Sequence, residues 1–66
     1  MCHYLLVFHV LSGNGSVLQS EERYVRLDNT QELVKIINQL KEEIRIRANE
    51  KPPFFTHVIV HQVLPL

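Results

Sequence analysis

Apolar residues are unevenly spread along the chain. Nine of the first eleven residues are apolar, against five of the twenty-one from Ser12 to Glu32. The opening stretch, Cys2 to Leu11, is rich in Val, Leu, Phe and Tyr and predicts a strand buried on both faces. Ser12-Gly13-Asn14-Gly15-Ser16 follows, and Asn-Gly predicts a hairpin whose type I′ turn needs positive φ at both residues. Ser16 to Leu27 then returns antiparallel as a second strand, with Glu21-Glu22-Arg23 suiting a sheet edge, where charge discourages further pairing. The hairpin register stays open. A two-residue loop turns Val17, Val25 and Leu27 toward the side of Phe8, one extra loop residue turns Leu18 and Tyr24 there, and a bulge near Glu21-Glu22 reconciles the two.

Asp28-Asn29-Thr30 supplies helix-capping residues, and Asn29 with Glu32 has capping-box spacing. Leu33, Ile36, Ile37, Leu40 and Ile44 then recur at steps of three and four, the apolar stripe of a helix about twenty residues long. Glu43 and Arg47 stand in the favourable i,i+4 order, and Arg45, Arg47 and Lys51 sit where the helix dipole favours cations. Asn49 fits a left-handed cap, and Pro52-Pro53 ends the helix. Phe54 to Leu64, β-branched and aromatic, is the third strand, closed by Pro65.

These elements predict an α+β ββαβ domain over residues 1–66: a three-stranded antiparallel sheet of order 2-1-3 with one helix packed on one face. The first strand is the most apolar and takes the centre, and the crossover to the third is right-handed. Side chains alternate across a strand. Tyr4, Leu6, Phe8 and Val10, with Phe54, Thr56, Val58, Val60 and Leu64, therefore face the helix. The open face receives His3, Leu5, Val7, His9 and Leu11, with Phe55, His57, Ile59, His61 and Val63. All four histidines fall on that side, among apolar residues.

Composition narrows the function. The chain has 66 residues, 45% hydrophobic and 21% charged, with seven Lys+Arg against seven Asp+Glu. That is a globular composition, and zero net charge withholds long-range attraction for phosphate backbones or acidic membranes. A chain this short folds around a marginal core and gains from a staple, a metal or a partner. Cys2 is the single cysteine, so an intramolecular disulfide is excluded and a reducing cytoplasm is the expected location. The apolar N-terminus lacks the charged n-region and cleavage site of a signal peptide. The longest apolar run, Tyr4 to Phe8, is far below the ~18 residues of a membrane span.

The chemistry-bearing residues form no familiar motif. His57 and His61, four apart on a strand, lie about 13 Å from each other and cannot share one zinc at about 2.1 Å per bond. Antiparallel pairing could instead set His3 opposite His61, or His9 opposite His57, with Cβ atoms about 5 Å apart. Gly13-Asn14-Gly15 belongs to the hairpin and is not a phosphate loop. Ser12, Ser16, the histidines and Glu21-Glu22 make no nucleophile–base pattern. No cofactor, metal or catalytic residue is expected, and the protein reads as a non-enzyme.

In size and element order alone, the ββαβ chain resembles small phage-encoded inhibitors and anti-defence proteins, and small antitoxins. The resemblance implies stoichiometric masking of a host or toxin surface. The reading is a non-enzymatic protein-interaction module and homodimer that meets a protein target through its open sheet face or edge strand. Its interface is Leu5, Val7, His9, Leu11, His57, Ile59, His61 and Val63. The alternative is a small nucleic-acid-binding regulator using Arg23 and Arg26 on strand two with Lys41, Arg45, Arg47 and Lys51 toward the helix end, and Tyr24 available to stack.

Overall fold

A computed structural model of the chain describes residues 2–51 and 56–66. Strand β1 (Cys2–Leu11) and strand β2 (Val17–Leu27) form the hairpin. A 3₁₀ turn over Thr30–Glu32 leads into helix α1 (Leu33–Ala48), and strand β3 spans His57–Pro65. The sheet has the order β2-β1-β3 with both pairings antiparallel, and the helix packs over β1 and β3. The ββαβ fold expected from the sequence is the one observed. The expected roles of Pro52, Pro53, Phe54 and Phe55 lie outside the described residues.

The core follows from alternation along β1. Leu6, Phe8 and Val10 point toward the helix and are essentially inaccessible to solvent, and Ile44 and Val58 complete the buried cluster. Leu33, Ile37, Leu40 and Ala48 of the helix, with Tyr4, Val25 and Val60 of the sheet, pack around it. At roughly 1.5–3 kcal/mol for each fully buried large apolar side chain, this cluster is the main source of stability.

Asparagines act at the 3₁₀ turn that leads into the helix and at the helix's far end. Asn29 is extended, and its Oδ1 accepts from the Gln31 N–H at 3.0 Å, satisfying a donor that the first turn leaves orphaned. At the other end Asn49 has φ −87, so the left-handed cap expected there does not form. Its side chain is used instead: Oδ1 accepts from the Thr56 N–H at 3.1 Å and from the Thr56 hydroxyl at 2.6 Å. This clamp fastens the end of α1 to the residue that precedes β3. The helical ion pair also differs from the expected Glu43–Arg47: Arg45 pairs with Glu42, three residues away.

The hairpin turn departs from the type I′ expectation. Gly15 alone has positive φ, at 90°. Its N–H donates to Ser12 O at 2.9 Å, and Ser12 N–H donates to Ser16 O at 2.8 Å. That is a three-residue loop closed by a glycine bulge, in which only the last loop residue must be left-handed. Asn14 contributes its side chain, accepting from the Ser12 hydroxyl and from the Ser16 N–H.

Two register shifts set the faces. On β2, Val10 pairs with Gln19 but Leu11 with Val17, so Leu18 is the extra residue, close to the turn and not near Glu21-Glu22. Beyond it Glu21, Arg23, Val25 and Leu27 share the helix side with Phe8, Leu6, Tyr4 and Cys2. On β3, Val7 pairs with Gln62 but Phe8 with Val60, leaving His61 as the bulge. Past His61 the alternation inverts. Leu64 lies across from Leu5 on the open face, and Val63 lies across from Leu6 on the helix side. The expected placement of Val63 on the open face and Leu64 on the helix side is therefore reversed.

Candidate functional site: the open sheet face

The side of the sheet away from α1 is ordered in cross-strand rows, with β1 central in each. Tyr24, Leu5 and Leu64 form one row, Glu22, Val7 and Gln62 the next. Ser20, His9 and Ile59 follow, and Val17, Leu11 and His57 end the series. The β1 members are half-buried by their neighbours. The outer apolar members stand in solvent: Tyr24 is 66% exposed, Ile59 41% and Leu64 38%. The result is an apolar band across the sheet, edged on β2 by Ser20, Glu22 and Arg26.

Of the expected interface residues, the structure brings Leu5, Val7, His9, Leu11, His57, Ile59 and His61 onto this face and removes Val63 from it. Leu64, Tyr24 and Val17 join it. The sequence leaves Tyr24 either on the side of Phe8 or as a stacking residue for nucleic acid, because hairpin register decides its face and the alternating pattern does not; the structure sets it opposite Leu5.

The histidines meet differently from either expected pairing. His9 is opposite Ile59, and His57 is opposite Leu11. The bulge swings His61 toward His9, and the two imidazoles stack with ring centroids 4.0 Å apart and planes 16° from parallel. No group of three or more potential metal ligands occurs among the described residues. His3 lies at the far end of β1, its ring 6.2 Å from Tyr24, and its Nδ1 is shielded from solvent with no hydrogen-bond partner.

The basic residues of the nucleic-acid alternative are spread over different surfaces. Arg23 lies on the helix side of β2 and is paired with Glu21 at 2.7 Å, while Arg26 is on the open face. Arg45 is engaged by Glu42, which holds the Glu42 carboxyl below its ordinary range, chiefly through their hydrogen bond. Arg47 and Lys51 line an open groove of about 470 Å³ between β2 and the end of the helix, facing Glu21 and Glu50 over a floor of Val10, Leu18, Ile44 and Ala48. Acidic neighbours accompany Arg23, Arg45, Arg47 and Lys51.

No helix among the described residues is long and apolar enough to cross a membrane. Comparison with protein-family models, with curated proteins and with solved structures finds no match for this chain.

Proposed function

We propose that this protein is a non-enzymatic interaction module whose open sheet face masks a surface of a protein target in the cytoplasm, acting stoichiometrically. The observation that carries this reading is the apolar band of Tyr24, Leu5, Leu64, Val7, Leu11 and Ile59, on the side of the sheet opposite its helix. Contiguous exposed apolar surface on a small domain marks an interaction site, because leaving it in water forfeits roughly 25 cal/mol for each Å² that a partner would cover. The polar rim of Ser20, Glu22 and Arg26 beside an apolar centre has the anatomy of a protein interface.

The test replaces the centre of the band. Immobilised wild type, Leu5→Glu, Ile59→Glu and the remote control Glu42→Gln are exposed to lysate of the native host, and retained proteins are identified by mass spectrometry. A protein held by wild type and Glu42→Gln, but lost from both glutamate variants while their circular dichroism is unchanged, is the expected result. Equal retention by Leu5→Glu and Ile59→Glu rejects the open face as the binding surface.

A further inference from the structure

The two outer strands present unlike edges. A residue's N–H and C=O point to the same side of its strand, and successive residues alternate. Ser12 bonds toward β2 through its N–H, and His3 toward β3 through its carbonyl, which accepts from Leu66. The even-numbered residues of β1 therefore bond β2, and the odd-numbered ones bond β3. Gln19, Glu21, Arg23, Val25 and Leu27 are their β2 partners, so Ser20, Glu22, Tyr24 and Arg26 turn their backbone groups outward. All four are exposed. This run holds no proline, and the β2 bulge lies before it, at Leu18. The β3 edge is interrupted by the His61 bulge, and Pro65 there has no N–H to donate.

We infer that β2 pairs antiparallel with β2 of a second copy of this chain, about a two-fold axis at Tyr24, making one sheet continuous across both copies. Among centres from Glu21 to Val25, clear of the Leu18 bulge, charge selects the register. Centring on Glu21, Glu22 or Arg23 sets each of these against its own like charge. Centring on Val25 sets Glu22 against Asp28. Centring on Tyr24 sets Glu22 against Arg26 of the other copy, twice by symmetry, with Tyr24 against Tyr24 between them. Opposite charges and aromatic pairs at directly opposed positions are the stabilising cross-strand combinations. Glu22 and Arg26 make no ion pair within the described residues, whereas Glu21 and Arg23 already satisfy each other on the helix side. The charges that repel indiscriminate strand addition thus become complementary in this arrangement.

One contact has to give way. Arg23 Nη1 donates to the outward carbonyl of Glu22 at 3.0 Å, and the incoming Arg26 N–H replaces it. The helix lies over one face of the sheet, on β1 and β3, and directly opposed residues of antiparallel strands share a face, so both helices fall on one side of the joined sheet and both apolar bands on the other. The self-pairing adds to the proposed function by doubling the open face: it uses the backbone edge of β2, while the side chains of Glu22, Tyr24 and Arg26 border that face.

Sedimentation equilibrium of the full chain tests it, using wild type, Glu22→Arg, Arg26→Glu, the double reversal and Leu5→Glu. The expected results are a concentration-dependent dimer for wild type and about a ten- to thirty-fold weaker Kd for each single reversal. The double reversal returns to near the wild-type value, and Leu5→Glu stays dimeric. A wild type that remains monomeric at high micromolar concentration overturns the inference, as does a dimer indifferent to the single reversals or one not restored by the double. Loss of the dimer in Leu5→Glu would move self-association to the open face. A Leu5→Glu protein that stays dimeric but still holds its target sinks the function proposed above and leaves the β2 pairing standing.

Discussion

Leu5 and Leu6 are chemically identical neighbours on the central strand, and they lead opposite lives. Leu6 points into the cluster of Phe8, Val10, Ile44 and Val58 and is 0% exposed. Leu5 points to the open face between Tyr24 and Leu64 and is only half-buried. One leucine holds the fold and the other is available to a partner. A strand that is apolar on both faces therefore carries two kinds of information. The helix reads one of them, and the second is left over because a ββαβ chain has a single helix with which to cover its sheet.

The sharpest way to break the comparison is to shorten both leucines. Leu6→Ala leaves a cavity under the helix and is expected to cost about 2–5 kcal/mol. A domain this size has only about 3–10 kcal/mol in total, so its thermal transition, followed by circular dichroism, should fall far or disappear at room temperature. Asn49→Ala removes the clamp between the end of α1 and Thr56 and leaves the Thr56 N–H without its acceptor, which predicts a loss of about 1–2 kcal/mol in urea unfolding. Leu5→Ala removes a side chain that is already partly solvated, and should cost no more than about 1 kcal/mol. Should Leu5→Ala and Leu6→Ala prove equally damaging, the distinction between a folding face and a binding face would not stand.

The smallest effect belongs to Glu42→Gln, on the exposed side of the helix. Arg45 depresses the folded-state pKa of Glu42 below its ordinary value of 4.5. A depressed carboxyl contributes stability that is present above its unfolded pKa and lost as pH falls through the folded one. Wild type and Glu42→Gln should therefore melt nearly alike at acidic pH, with any wild-type advantage emerging only as pH rises past that range and shrinking in high salt. Melting temperatures that differ most at low pH would contradict the assignment.

Element order and strand order were legible because each rests on a pattern many residues long. The leucine and isoleucine stripe from Leu33 to Ile44, the asparagine at position 29 and the apolar density of Cys2 to Leu11 all point the same way. The finer placement was hidden by two single residues. Leu18 and His61 each add one position to a strand and invert the faces beyond it, and Val63 and Leu64 are both apolar, so composition does not reveal that they trade faces. The Glu21–Arg23 pair on the helix side was hidden for a related reason. β2 lies at the margin of the helix's footprint, so its inner face need not be apolar. The stacking of His9 on His61 depends on the bulge and was lost with it.

The Asn49–Thr56 clamp also bears on how the chain finds its structure. β1 and β2 are sequence neighbours and can zip from the Gly15 turn, but β3 must return from the far end of the chain to the same central strand. Bringing distant segments together is the slow, entropically costly part of folding a topology rich in non-local pairs. In the folded chain the side chain of Asn49 holds Thr56, the residue just before β3, against the end of α1. The asparagine thereby ties the sequence-distant strand to the element that precedes it.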